Sequence, residues 1–370
     1  MAERHAPPAG QAGGDGVVAL GPGDRVGITG ATGFIGSALA RAVAARGASV
    51  VALVEPGADA ANLEGLAVER REVDVRSAQA VGRAVDGCRM LFHVAALYRF
   101  WARDRRDFYD INVGGTLNVL EAARAAGVER TVYTSTVGTL GLDGLPDGVA
   151  ADERRYPDVA HLFGSYKRSK YVAEHEVLRA AAQGMAVSIV MPTFPVGPRD
   201  RAPTPTGRLV LDYLNGRVPG FVDTTLNVVH VDDVAAGHVL ALERGEVGRS
   251  YILGGENLSL ERLLGILATA TGLPAPSLRV PRALSLGVAW VSERVEGGLL
   301  RRHPSVPLEA ARMSTTQMAF DDARARKELG YAPRPATEAL VESARWFVDN
   351  GYVKAARRAR ITWPGADPGP

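Results

Sequence analysis

A strand, a glycine-spaced turn and a helix follow one another near the start of this chain, and that order limits the folds open to it. The turn is Gly30-Ala-Thr-Gly33-Phe-Ile-Gly36. Before it runs Val26-Gly-Ile-Thr29, a short apolar stretch that reads as a buried strand. After it, an alanine-rich helix continues to about Arg46. Each glycine has its own use. Gly30 allows a tight turn, Gly33 lets backbone approach a pyrophosphate, and Gly36 lets the helix pack closely on the strand. The amides around Phe34 and Ile35 then face phosphate oxygens at the positive end of the helix dipole. The unit reads as a dinucleotide cradle.

The pattern repeats downstream. Apolar strands are expected at 49–54, 68–75, 89–95, 130–136 and 187–191, with helices at 78–85, 108–126 and 164–183 between them. Strands alternating with helices predict an α/β fold, a Rossmann doubly wound parallel sheet whose strand ends share one ligand-binding edge. After Pro192 the pattern changes. Prolines crowd 192–205, a helix is expected at 207–216, and a strand at 228–231 is expected to return to the main sheet's domain. A helix at 232–243, a strand at 251–253 and helices at 259–271, 321–329 and 335–350 follow, with Ser259 as an N-cap. The boundaries expected are a disordered tail over 1–23 and a dinucleotide-binding domain over 24–192 that also receives roughly 226–253. A smaller, discontinuous substrate-binding domain takes 193–225 and 254–352, and a flexible tail 353–370.

Charge and composition exclude several classes. The 43 basic side chains are nearly balanced by 41 acidic ones, for a net +2, so no broad electrostatic footprint for nucleic acid exists. A single cysteine, Cys88, rules out an intrachain disulfide and, with no secretory signal, points to the cytoplasm. No apolar run reaches the ~20 residues of a membrane span. The stretch 283–300 comes nearest, but Glu293, Arg294 and Glu296 interrupt it. It reads as a surface helix packed on the protein, or as a cap over a greasy substrate entrance.

The second chemical signal is Tyr166-Lys-Arg-Ser-Lys170, a phenol and an ammonium spaced i, i+4 on one helix face. A free tyrosine has a pKa of ~10, and a neighbouring ammonium lowers such a value by ~1–3 units, which makes the phenol a usable acid or base. The preceding strand ends in Tyr133-Thr-Ser-Thr136, whose hydroxyls can polarise a reacting oxygen. Ser135 and Thr136 alternate in direction, so one faces the cofactor and the other caps the strand. After the second strand, Glu55 is either the ribose carboxylate that favours NAD or an exposed glutamate just beyond it. Asp74 and Val75 end the third strand, near the adenine. His93, in His93-Val94-Ala95-Ala96, reads as a hydrogen-bonded histidine beside small residues that leave room for the cofactor, rather than as a catalytic base. His230, Asp232 and Asp233 look metal-like on paper, but adjacent aspartates do not share one site easily; a helix N-terminal cap joining the domains is expected, and no metal.

With those residues quoted, the chain resembles the extended short-chain dehydrogenase/reductase superfamily, its NAD-dependent epimerase/dehydratase branch, from about Arg25 to Tyr352. The resemblance implies a catalytic set of Thr136, Tyr166 and Lys170, with Ser135 touching substrate and Asn112 kinking the helix it occupies. It implies a cofactor site made of Gly30, Thr32, Gly33, Phe34, Ile35, Gly36, Glu55, Asp74, Val75, Val94, Ala95, Ala96, Tyr166, Lys170 and Pro192, and substrate contacts from Thr193 and Arg208. Six strings are similar to the hopanoid-associated sugar epimerase subgroup: Asn62-Leu-Glu-Gly-Leu66, His93-Val-Ala-Ala96, Tyr166-Lys-Arg-Ser-Lys170, Pro203-Thr-Pro-Thr-Gly-Arg208, Val229-His-Val-Asp-Asp-Val234 and Tyr251-Ile-Leu-Gly-Gly-Glu-Asn257. Two departures stand out. Glu55 replaces the subgroup's usual arginine, shifting the cofactor toward NAD with NADP as the alternative, and Met191-Pro-Thr-Phe replaces Asn-Pro-Ser-Thr. The implied reaction is epimerisation of a sugar nucleotide or sugar-bearing lipid, with a dihydroflavonol-type reductase as the alternative and a cofactor-sensing protein as a third reading. The resemblance also implies a homodimer pairing helices 108–126 and 164–183.

Overall fold

β1 (Arg25–Thr29) lies near the centre of a seven-stranded sheet. β2 (Ser49–Val54) and β3 (Val68–Glu72) extend it on one side. β4 (Met90–His93), β5 (Arg130–Thr134), β6 (Val187–Pro192) and a late strand, β10 (Ser250–Leu253), extend it on the other. Every pair is parallel. The expected doubly wound sheet is therefore present. The computed structural model describes residues 18–363 except 100, 101, 103, 143, 144, 147, 160, 161, 300–307, 309, 310 and 313–315.

Strand alternation explains the two covered faces. Ile28, Ala52, Phe92, Val132 and Val190 turn toward α1 (Phe34–Ala44) and α7 (Val231–Arg244). Val51, Leu53 and Leu91 turn the other way, against α2 (Ala78–Val85) and α4 (Gly115–Ala125). Tyr133 and Ile189 join them there under α5 (Ser165–Ala182). The expected helix 108–126 is broken in two. It starts at α3 (Arg106–Tyr109), passes through a π turn at Asp110–Gly114, and continues as α4.

The strand expected to return to the main domain does not join its sheet. β9 (Thr225–His230) pairs instead with β7 (Phe194–Val196) and, antiparallel, with β11 (Glu256–Ser259). From this part of the chain β10 and α7 come back to the parallel sheet, and Ala325, Leu329 and Tyr331 pack into the same cluster. The short strands β8 (Gly220–Phe221) and β12 (Leu278–Arg279) pair with each other. α6 (Pro205–Leu214), α8 (Leu260–Thr271) and the helix Ala336–Asp349 pack together through Val210, Leu263, Leu340 and Phe347. Ser259 caps α8 as expected, accepting from the Arg262 amide at 3.1 Å.

Parts of both segments expected as tails pack on the protein. Residues 1–17 and 364–370 lie outside the described residues, but Leu20 is buried against the α1 face. Val353 is buried too, and the Thr362 amide donates to the Thr271 carbonyl at 2.9 Å. That contact closes the C-terminal segment over α8, which the local sequence does not reveal.

Candidate active site

The glycine turn is a backbone-only surface. Gly30 has φ +67°, and a Cβ there would stand 2.9 Å from the Ala95 Cα. A Cβ on Gly36 would stand 2.1 Å from the Gly30 carbonyl oxygen. Neither position admits a side chain without moving the chain. Gly33 is the N-cap of α1, and no side chain caps the helix; its first turn carries no acid. The leading amides of α1, beginning with Phe34 and Ile35, are thus left for a ligand's oxygens. The Thr32 carbonyl accepts from Asn62 Nδ2 at 3.0 Å, and Arg41 holds the Asn62 carbonyl at 2.8 Å. This brace on the turn was hidden in the sequence, where Asn62 was visible only as part of a similar string. The cradle fits a dinucleotide.

Glu55 is exposed just past β2. Asp74 follows β3 and is gripped by Arg76, at 2.6 Å between Nη2 and Oδ2 and 3.0 Å from Nε to both oxygens. That guanidinium holds the Asp74 carboxyl below its ordinary range, with Glu55 adding its field to Arg76. Arg76 is a residue that sequence reasoning missed: a cation between the two carboxylates expected at the adenosine end. Val75 fills the space left by Gly115, where a Cβ would stand 2.7 Å from its Cγ2.

His93 ends β4 fully buried and bonded at both nitrogens. Thr116 donates its hydroxyl proton to the Asn112 carbonyl at 2.6 Å, so it accepts from His93 Nε2–H at 2.9 Å. Nδ1 then accepts from Thr29 Oγ1 at 2.8 Å, while that oxygen accepts the Val94 and Ala95 amides, each at 3.0 Å. Burial, aided by the Lys170 charge, lowers the imidazole pKa to about 3. His93 is neutral and shapes the segment Val94-Ala95-Ala96 beside the cradle.

α5 carries the phenol and the ammonium. Tyr166 is buried, with the Tyr98 ring 4.9 Å away. Lys170 is buried as well. Its Nζ donates to the Thr134 carbonyl at 2.7 Å and lies 4.3 Å from the Tyr133 ring centroid. Burial lowers its pKa to about 7, partly opposed by Glu174. The Asn112 amide clamps this helix: Nδ2 donates to Ser169 Oγ at 2.9 Å, Ser169 donates to the Tyr166 carbonyl at 2.8 Å, and Oδ1 accepts the Leu97 amide at 2.7 Å. These bonds sit in the π turn.

Thr136 and Ser135 part company at the end of β5. Thr136 is half-buried, caps a short 3₁₀ turn and accepts from the Gly138 amide at 3.1 Å. Ser135 is buried and donates to Glu174, whose carboxylate also takes Thr139 Oγ1 at 2.9 Å. The substrate contact expected of Ser135 is therefore not where its hydroxyl points; alternation turns it inward. Burial raises the Glu174 carboxyl above its usual value, against the bonds from Ser135 and Thr139.

Pro192 ends β6 and is buried; Thr193 after it is half-buried, and its hydroxyl is enclosed without a hydrogen-bond partner among the described residues. Arg208 is exposed on α6. The turn before α6 is organised by Asp200, which accepts the Thr204 amide and hydroxyl, and burial raises its carboxyl pKa to about 6. The metal-like trio disperses. His230 Nδ1 accepts the Asp232 amide at 3.0 Å and Nε2 donates to Glu342 at 3.0 Å; Asp232 pairs with Arg199; Asp233 accepts from Arg334. His230 is thus the N-cap of α7, tied to the helix Ala336–Asp349.

With this geometry in place, the comparisons decide the family. The model of the NAD dependent epimerase/dehydratase family matches residues 26–254, more than half of the chain. The chain belongs to this family. It is 45% identical over 331 residues to a putative dihydroflavonol 4-reductase of Synechocystis sp., covering 88% of this chain and 95% of that protein. It is 36% identical to sterol demethylase protein B of Methylococcus capsulatus, over 88% of this chain and 99% of that one. Among solved structures, gox2253 superposes with a TM-score of 0.80 at 44% identity, covering 90% of this chain and all of that one. NAD(P)-linked chemistry and membership among the extended short-chain dehydrogenases follow from the family. The similarity to the hopanoid subgroup stays a resemblance.

Proposed function

We propose that this family member is an NAD(H)-dependent oxidoreductase interconverting a secondary alcohol and a ketone on a lipophilic substrate. One observation carries the reading: Lys170 is buried, fixed to the Thr134 carbonyl at 2.7 Å, and one helical turn from the buried Tyr166. A lysine bonded to a carbonyl, with no ion pair to a carboxylate among the described residues, serves to hold a phenol's charge and a ribose hydroxyl. The nicotinamide supplies hydride transfer at the carbon. Tyr166 takes the proton from the alcohol oxygen on oxidation and returns it on reduction; Thr136 donates to that oxygen and steadies it. The glycine turn, Thr32, Val94, Ala95, Ala96 and Pro192 hold the dinucleotide, and Glu55 favours the ribose of NAD over a 2′-phosphate. Thr193, with its unpartnered hydroxyl, contacts substrate. The aromatic pair Tyr98–Tyr166 and the names of the two curated relatives support an apolar substrate.

Epimerisation of a sugar nucleotide is the second reading, and the exposed Arg208, suited to a diphosphate, favours it. The test separates the two. Purified protein is given NAD with a panel of lipophilic secondary alcohols, then sugar nucleotides. Steady growth of the reduced-nicotinamide band with an alcohol supports the oxidoreductase. Conversion of a sugar nucleotide with no net change in that band overturns it. The protein works in the cytoplasm as a homodimer, pairing α4 and α5 with their copies; exposed Leu117 and Val172 on those helices supply apolar contact.

A further inference from the structure

The stretch expected to pack on the protein or cap an entrance packs along one strip, with Ala289 buried and Ser285, Leu286 and Ser292 half-buried, and leaves the rest of its surface open. α9 (Arg282–Ser292) and the π turn after it (Glu293–Leu299) bury one side chain, Ala289, among those whose burial is described. Leu284, Val288, Val291 and Val295 recur at i, i+4, i+7 and i+11, which puts them on one face. They are 58%, 50%, 53% and 45% exposed, and Trp290 beside them is 54% exposed.

Charge identifies what covers this face. Exposed arginines border it. Among the described residues Arg282 reaches the Asp223 carbonyl, at 3.0 Å, and Arg294 stacks 5.4 Å from the Trp290 ring centroid. The acids of the same segment are half-buried: Glu293 accepts the Leu308 amide at 2.9 Å and Glu296 accepts from Ser292 at 2.9 Å. The face is apolar along its length, with Arg294 on its flank and Arg282 at the N-terminal end of the helix. A second copy would set arginine against arginine across the contact, whereas lipid phosphates would meet them with opposite charge. An aromatic ring with an arginine over it suits the headgroup boundary of a bilayer. No helix of the described residues is long and apolar enough to cross a membrane. The helix therefore lies in the plane.

We propose that α9 docks this protein on the surface of an anionic phospholipid bilayer, with Leu284, Val288, Val291 and Val295 among the acyl chains and Arg282 and Arg294 at the phosphates. The same segment reaches the catalytic edge. Glu293 holds Leu308, and nearby Arg312 stacks 4.3 Å from the ring of Phe163, three residues before Tyr166. Docking would thus set the site's rim beside the bilayer, where an apolar alcohol resides. The docking itself does not rest on the proposed chemistry, because it is measured with no substrate present.

The test is flotation of the purified full-length protein with vesicles of equal parts phosphatidylglycerol and phosphatidylcholine. The protein is expected to rise with these vesicles and to stay behind with phosphatidylcholine alone or at high salt. V288E/V291E should weaken binding at least ~10-fold, and R282Q/R294Q about fivefold per arginine removed. All four sites are exposed, so V288E/V291E should melt with the wild type and R282Q/R294Q close to it, losing one exposed bond to the Asp223 carbonyl. Trp290 emission should shift to the blue on docking, and the shift should vanish in Trp290→Phe. Wild-type protein that stays behind with anionic vesicles overturns the proposal. So does equal binding by V288E/V291E, or conversion of a dimer to a monomer by that variant without lipid present, which would give the face to a second copy.

Discussion

Ser135 donates its hydroxyl proton to the buried carboxylate of Glu174, which stands one helical turn beyond Lys170 on α5. The bond is buried and ties the end of β5 to the helix bearing the phenol. Ser135→Ala should therefore cost about 1–2 kcal/mol of stability in denaturant unfolding while leaving KM within about twofold. A large rise in KM at unchanged stability would return Ser135 to the substrate.

Tyr166→Phe keeps the ring against Tyr98 and removes only the hydroxyl. Turnover should fall by ~10²–10⁴-fold with the melting temperature preserved. Single-turnover kinetics on the purified variant measure it. Intact turnover would remove the phenol from the proton's path.

Lys170 couples folding to pH. Its folded pKa is lowered from 10.5 to about 7, so above pH 7 the unfolded chain binds a proton that the native one does not. Stability contributed at this site then rises with pH between about 7 and 10.5. In the apoprotein, wild type should gain on the order of 1.4 kcal/mol per pH unit relative to Lys170→Met over pH 7 to 9. Parallel stability curves for the two proteins would show that the amine titrates normally.

Gly36→Ala places a methyl carbon 2.1 Å from the Gly30 carbonyl oxygen, forcing α1 off the turn. Affinity for NAD should fall more than ~10-fold, well beyond the loss for Gly82→Ala, whose Cβ position is open. Calorimetric titration of both variants gives the comparison.

Glu55→Arg adds a second cation beside Arg76 at the adenosine end. The ratio of kcat/KM for NADP over NAD should rise by ~10-fold or more. An unchanged ratio would mean that Glu55 lies beyond the ribose.

Fold class was readable because it rests on periods within the chain. Val26-Gly-Ile-Thr29 and Val187-Ser-Ile-Val-Met191 are apolar without alternation, as strands buried on both faces must be. The glycine spacing gave the cradle, because Gly36 answers to the Gly30 carbonyl six residues away and Gly30 turns at φ +67°, although its close neighbour Ala95 is distant in sequence. What escaped depends on distant partners. Val228-Val-His230 is as apolar as any central strand, and only its pairing with Phe194–Val196 shows that it belongs to a second sheet. Asn112 makes its π turn through Leu97 and Ser169. Ser135 and Thr136 alternate as expected, but which one turns inward is settled by Glu174, 39 residues on. Arg76 sits two residues from Asp74 and drew no notice, since Asp-x-Arg is ordinary in sequence and acquires meaning only beside Glu55.

The last strand of the parallel sheet comes late in the chain. β6 borders β5 on one side and β10 on the other, and β10 is Ser250–Leu253. On the ribosome, the nucleotide-binding half is thus fully synthesised while its outer edge still shows a bare row of amides and carbonyls. A fragment cut before residue 250 would carry every glycine of the cradle and still expose that row to other chains. Nascent protein should accordingly be most prone to sticking in that interval, and trimming the gene to its nucleotide-binding segment should give an aggregating product rather than a small stable domain.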